Sequence, residues 1–183
     1  MSAAAIQSPF RYLQSLASKG RALAGQLPIQ VEQKEAWKGV LFELRGYRLL
    51  APMDEVAEII TPPRCTRIPG VKPWAYGMAN MRGNLLPVMD LQGFLYGENL
   101  SRDTRRKRLL VVNCDGVYAG LVVESVVGMK HFWTDDRDME LPIRDQALAP
   151  YLSGSFRSGD EHFAVFSPWR LARDETFLNV SSG

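Results

Sequence analysis

The sequence predicts a mainly β protein made of two small, similar barrels facing each other across a groove, preceded by one amphipathic helix. The hairpin signals come first. Val40, Phe42 and Leu44 alternate with Leu41 and Glu43 before Arg45-Gly46 turns the chain into Tyr47 to Ala51. Arg108 to Cys114 is followed by Asp115-Gly116 and then Val117 to Val127, and Asp-Gly between β-branched runs is a strong hairpin marker. The second observation is an offset of about 70 residues, which maps Leu41 onto Val111, Phe42 onto Val112, Gly46 onto Gly116, Asp54 onto Glu124 and Val56 onto Val126. Later segments match more loosely: Leu85 to Asp90 resembles Phe163 to Pro168, each an apolar strand after a glycine-containing turn. Two copies are too few for a solenoid, and short strands with glycine turns suit barrels better than a parallel α/β sheet.

The helix is expected over residues 8 to 27. Ser8 is a good N-cap with Pro9 at the first helical position, and Phe10, Leu13, Leu16, Ala17, Leu23 and Leu27 share one stripe. Pro28 ends it. Residues 1–35 therefore form a helical extension and 36–183 the β part, with a first barrel over about 36–97 and a second over about 108–172. Between them Gln92 to Tyr96 is short enough for one helical turn, and a basic run follows with Arg102, Arg105, Arg106, Lys107 and Arg108. No aromatic residues interleave that run, so it reads as a solvated linker entering a strand.

Composition narrows the function. An apolar fraction of 46% with 23% charged residues is that of an ordinary globular protein. A net charge of +2 is too mild to imply a nucleic-acid or membrane partner. Cys65 and Cys114 stand alone, and with His131 and His162 they are too scattered for a metal site, so no metal or other cofactor is expected. They read as free thiols of a reducing compartment. Met1 to Arg11 shows no charged start followed by an apolar core, and the uncharged run Val117 to Val123 is far too short to span a bilayer, so a cytoplasmic location is expected. There is no Gly-x-Ser-x-Gly elbow, no nucleophile–base pattern around either histidine and no phosphate loop around Gly77 and Gly83. No catalytic residue is expected.

The densest information lies in Gly77 to Leu91. It reads as a polar strand end, a tight turn at Arg82-Gly83 and a returning strand, with Leu85, Pro87, Met89 and Leu91 on one face and Leu86, Val88 and Asp90 on the other. Upstream runs a proline-studded loop from Thr61 to Trp74. Proline within the returning strand points to an edge or bulge. Trp74 and Tyr76 beside Arg82 have the composition of a protein-binding hot spot, although Trp74 can equally pack on its own barrel. Arg82 can bond carbonyls of its own turn or pair with Glu58, a lone charge on the strand Val56 to Ile60.

The stretch resembles the CheW-like domain, whose pattern Gly-x-x-Asn-x-Arg-Gly-x-x-x-Pro-x-x-Asp-Leu is met by Gly77, Asn80, Arg82, Gly83, Pro87, Asp90 and Leu91. The resemblance covers roughly Ala36 to Leu178 and is densest from Tyr47 to Leu91. It implies a pair of five-stranded SH3-like β-barrels. It also implies a non-enzymatic adaptor that couples a CheA-like histidine kinase to a methyl-accepting chemotaxis receptor, associated with the membrane only through receptor arrays. The positions matching Glu58 and Arg82 are then polar residues of array assembly, and that matching Val56 lies by an apolar partner patch. Val56, Glu58, Trp74, Asn80, Arg82 and Gly83 are the candidate contacts for kinase or receptor. The helix and the segment Pro69 to Trp74 are most similar to the CheW-like adaptors of type IV pilus and twitching-motility systems. The alternative is a small nucleic-acid-binding barrel that uses Arg102 to Arg108, and a weaker one is a small enzyme with a pocket between barrels.

Overall fold

A computed structural model describes residues 35–101 and 105–182. The helix expected over residues 8 to 27, and with it the proposed extension, lies outside the described residues. The chain runs through β1 (Ala36–Leu44), β2 (Tyr47–Pro52), β3 (Val56–Ile60), β4 (Ala75–Met81), β5 (Asn84–Asp90) and α1 (Leu91–Tyr96). It continues through β6 (Arg108–Cys114), β7 (Val117–Val123), β8 (Ser125–Trp133), β9 (Arg137–Asp138), β10 (Leu152–Ser158) and β11 (Glu161–Phe166), then α2 (Pro168–Ala172) and α3 (Glu175–Leu178). Three hairpins turn where the sequence predicts, at Arg45-Gly46, Arg82-Gly83 and Asp115-Gly116, each with both residues at positive φ. That conformation matches the right-handed twist of the flanking strands.

The strands form two sheets, ordered β3-β6-β7-β5-β4 and β8-β1-β2-β11-β10-β9. The division into a first barrel over 36–97 and a second over 108–172 therefore needs correction. Each sheet takes its central hairpin from the other half of the chain. β1 and β2 sit among strands that follow residue 124, and β6 and β7 sit among strands that precede residue 91. The second sheet also gains the two-residue edge strand β9, beyond the expected five.

The two halves repeat each other closely. β3 meets β6 with a bulge between Val56 and Glu58, where Val56 faces Val112 and Glu58 faces Val111. β8 meets β1 with the matching bulge, where Val126 faces Phe42 and Gly128 faces Leu41. β5 runs parallel to β7 with Val88 opposite Gly120, as β11 runs parallel to β2 with Val165 opposite Leu50. This pairing places Val88 against Val165, so Leu86, not Leu85, corresponds to Phe163. The one-residue correction matters because it keeps buried residues with buried residues on a two-residue period.

Burial follows this symmetry. Leu86, Val88, Leu109, Val111 and Val122 fill the interior of the first sheet. Leu41, Leu50, Phe156, Phe163 and Val165 fill that of the second. The opposite faces of the central hairpins, including Val40, Phe42, Leu110 and Val112, join Met89, Leu91, Phe166 and Phe177 in a third core shared between the sheets. Fully burying a side chain of this size contributes about 1.5–3 kcal/mol, so the hairpin exchange is held by apolar burial on both of its faces.

Candidate partner-binding site

Six of the seven motif residues have a local structural duty. Gly77 has φ 126°, and a Cβ there would lie 2.1 Å from the Thr66 carbonyl oxygen, where no side chain fits. Asn80 Oδ1 accepts the Gly83 N–H at 2.9 Å, bracing the turn that Gly83 completes at φ 88°. Pro87 sits one residue before the parallel pairing of β5 with β7 begins at Val88, so its missing N–H breaks no bond there. Asp90 is fully buried and caps α1, its carboxylate accepting from Gly93 N at 2.9 Å, Leu100 N at 2.8 Å and the Tyr76 hydroxyl at 2.5 Å. Burial, and then that bond to Asp90, push the Tyr76 phenol well above its ordinary pKa. Leu91 belongs to the shared core.

Arg82 is the exception. Its side chain is 80% exposed and meets Glu58 through two contacts, Nη1 to Oε1 at 3.0 Å and Nη2 to Oε2 at 3.2 Å. Of its two readings, the pair with Glu58 is the one formed. β3 and β4 are the two edges of the five-stranded sheet, so this fork joins the β4–β5 hairpin tip to the opposite edge. The equivalent positions in the other sheet are Gly128, which the bulge register matches to Glu58, and Gly159 in the β10–β11 turn. Neither has a side chain. The two ends of the molecule are thus alike in backbone and different in chemistry.

Asn80, Arg82 and Gly83 form the β4–β5 hairpin tip, and Arg82 reaches from it to Glu58 on β3. Two other expected contacts do not lie on the surface. Val56 is 5% exposed and packs into the shared core. Trp74 is 8% exposed, stacked on Phe177 with ring centres 6.0 Å apart and edge-on to Phe94 at 5.2 Å. Its bulk fills the gap between the proline loop and the C-terminal helix, so it is a core residue and not a semi-exposed anchor. Leu85, which the face pattern groups with Met89 and Leu91, is instead 68% exposed, opposite Asn80 at the hairpin tip. Its place two residues past the turn is the signal: a side chain so close to a hairpin end lies beyond the core it points towards.

The described side chains at the end of the basic run, Arg106, Lys107 and Arg108, are each engaged within the chain. Arg106 pairs with Glu43 at 3.2 Å, Lys107 is buried, and Arg108 donates to carbonyls of its own segment, that of Lys107 at 2.8 Å. His162 bonds the Ser155 hydroxyl at 2.8 Å, but Ser155 is fully buried and donates to the Glu140 carbonyl, an arrangement of structure and not of a nucleophile. Cys114 is likewise quiet, its thiol pushed up to about 11 by burial and by the nearby Glu55 and Asp115 carboxylates. No helix among the described residues is long and apolar enough to cross a membrane.

A hairpin pair exchanged between two similar sheets, with the Asn80–Arg82–Gly83 turn at one end, agrees with what comparison finds. The model of the CheW-like domain matches residues 38–175. The chain belongs to the CheW-like family. It is 44% identical to Protein PilI of Pseudomonas aeruginosa over 96% of this chain and 98% of that protein. It is 28% identical to Protein FrzA of Myxococcus xanthus, over 68% of this chain and 76% of that one. Among solved structures, the scaffolding protein TtCheW from Thermoanaerobacter tengcongensis matches with a TM-score of 0.64 at 20% identity, covering 81% of this chain and 97% of that one. That likeness shows the fold of this CheW-like chain: mainly β, in two sheets.

Proposed function

We propose that this chain is a non-enzymatic adaptor that joins a CheA-like histidine kinase, through that kinase's own CheW-like regulatory domain, to the cytoplasmic tip of a methyl-accepting receptor. The likeness to PilI over nearly the whole of both chains supports a place in a chemosensory system for type IV pilus twitching motility. The observation that carries the reading is Arg82. It is the one motif residue that the fold does not consume, held in a two-point fork with Glu58 beside exposed Leu85. A planar guanidinium already oriented by a carboxylate loses little freedom on binding, and an apolar side chain next to it supplies desolvated area. The hairpin tip packs against the matching end of the kinase domain, with buried Val56 shaping β3 from beneath. The groove between the sheets receives the receptor's helical hairpin.

Signal passes because receptor states contact the adaptor differently and so bias the kinase. Single interfaces are weak, and the array adds them. Co-sedimentation tests the reading: with receptor-bearing membranes, the kinase pellets in the presence of this chain and stays in the supernatant without it. A kinase that pellets equally in both cases, or an adaptor left in the supernatant, contradicts it.

A further inference from the structure

We propose that the cavity beneath the β3–β4 loop binds a small organic anion, a carboxylate or phosphate monoester carried on an apolar body. The cavity has a volume of about 740 Å³, inside the range of roughly 300–1,000 Å³ of small-molecule sites. Ile68, Val71 and Leu100 give it an apolar lining, Arg67 and Lys72 supply two cationic side chains, and no aspartate or glutamate is among its described lining residues. Neither Arg67 nor Lys72 has an ion-pair partner among the described residues. Charges of one sign over low-dielectric walls concentrate the opposite sign.

One carboxylate stands behind the wall and offsets part of this field. Asp90 is fully buried and turned into three donors, Gly93 N, Leu100 N and the Tyr76 hydroxyl. Tyr76, which lines the cavity, donates its hydroxyl to Asp90.

The loop's backbone decides against an extended peptide as occupant. Thr66 exchanges both of its hydrogen bonds with Met78, at 2.8 and 3.0 Å. Lys72 N donates to the Val180 carbonyl, and Ser182 N donates to that of Gly70, each at 2.9 Å. Pro62, Pro63 and Pro73 have no N–H to offer. With these loop bonds already made within the chain, recognition falls to side chains, which suits a compact ligand with one charged group. Ala75 and Tyr76 begin the strand that ends at the Arg82 turn, so such a ligand would sit at the root of the hairpin assigned to partners. The site itself does not depend on that assignment.

The full chain is titrated with phenyl phosphate and with benzoate, using benzyl alcohol and inorganic phosphate as controls, and followed by melting temperature and amide NMR shifts. At least one aromatic anion should raise the melting temperature saturably and shift the Val71 and Ala75 amides, and the two arms tell which head group is preferred. Its affinity should exceed that of inorganic phosphate by about tenfold or more, because the apolar body is buried. The double variant Arg67→Gln/Lys72→Gln should weaken it by about tenfold or more. Arg67 is exposed and Lys72 half-buried, so urea unfolding should confirm an intact fold in that variant. Neither anion saturating, benzyl alcohol or inorganic phosphate matching the aromatic anions, or a folded double variant that binds like the original chain would each overturn the proposal.

Discussion

Arg45 and Asp115 stand in the same left-handed conformation, each with φ 50°, at the tips of hairpins that each sit in the other half's sheet. The following glycines repeat the match, both at φ 78°. The Arg45 tip is further tied across the sheets: its N–H donates to Glu124 at 2.9 Å and its guanidinium lies 4.5 Å from the centre of the Tyr96 ring. Neither half of the chain contains a complete sheet.

Cutting the chain between Glu98 and Asn99 should therefore give two fragments that complement each other. Each alone lacks the central hairpin of its own sheet and exposes the apolar faces that Phe42 and Val112 occupy in the shared core. Mixed, they should recover near-UV circular dichroism and elute together as a one-to-one complex. If either fragment alone shows the same signal, the exchange is not what holds the sheets.

Two glycines in one motif should respond differently. Gly77→Ala forces a Cβ against the Thr66 carbonyl at 2.1 Å as well as into an unfavourable φ, and should cost about 3 kcal/mol or more. Gly83→Ala meets nothing within 4 Å and should cost only about 1–2 kcal/mol of backbone strain. Urea midpoints at constant m-value measure both.

The turns and the motif were legible in sequence because each rests on neighbours a few residues apart. Asp115-Gly116 needs only its own backbone, and Asn80 needs only Gly83 three residues on. What local pattern does not carry is the partner of a strand. β2 lies parallel to β11 and β5 parallel to β7, pairings between segments far apart in the chain, so similar halves read as separate barrels when they in fact trade hairpins. Trp74 was ambiguous for the same reason: its burial depends on Phe177, which stacks on it from the far end of the chain. Trp74→Ala should accordingly cost about 3–5 kcal/mol of stability by leaving a cavity, read by thermal or urea unfolding. A loss under about 1 kcal/mol would return Trp74 to the surface.

The Tyr151–Asp174 pair should act on stability at both ends of the pH scale. The two are joined at 2.5 Å. Burial opposes ionisation of Asp174, but bonds from the Tyr151 hydroxyl and from the Phe177 and Thr176 N–H groups outweigh it and hold the carboxyl below its ordinary 3.8. A folded-state value below the unfolded one contributes stability that is present above that ordinary value and is lost as pH falls through the folded one. Tyr151 is shifted the other way, first by burial and then by its bond to Asp174, above an ordinary 10.0. Its contribution is complete below that ordinary value and is lost as pH rises through the raised one. Asp174→Asn should flatten the acid limb and Tyr151→Phe the alkaline limb of urea stability plotted against pH. Limbs parallel to those of the unaltered chain would remove the pair from the pH response.

The most direct measurement is the affinity of Arg82→Ala for the kinase's CheW-like regulatory domain, taken beside its urea stability. The Arg82–Glu58 pair is largely solvent-exposed on the arginine side, at 80%, so its loss should cost no more than about 1 kcal/mol of folding stability. Binding should weaken by roughly 1–3 kcal/mol, a factor of about 5 to 150 in Kd. A folded Arg82→Ala that binds the kinase domain as tightly as the unaltered chain would contradict the account and move the interface away from this hairpin.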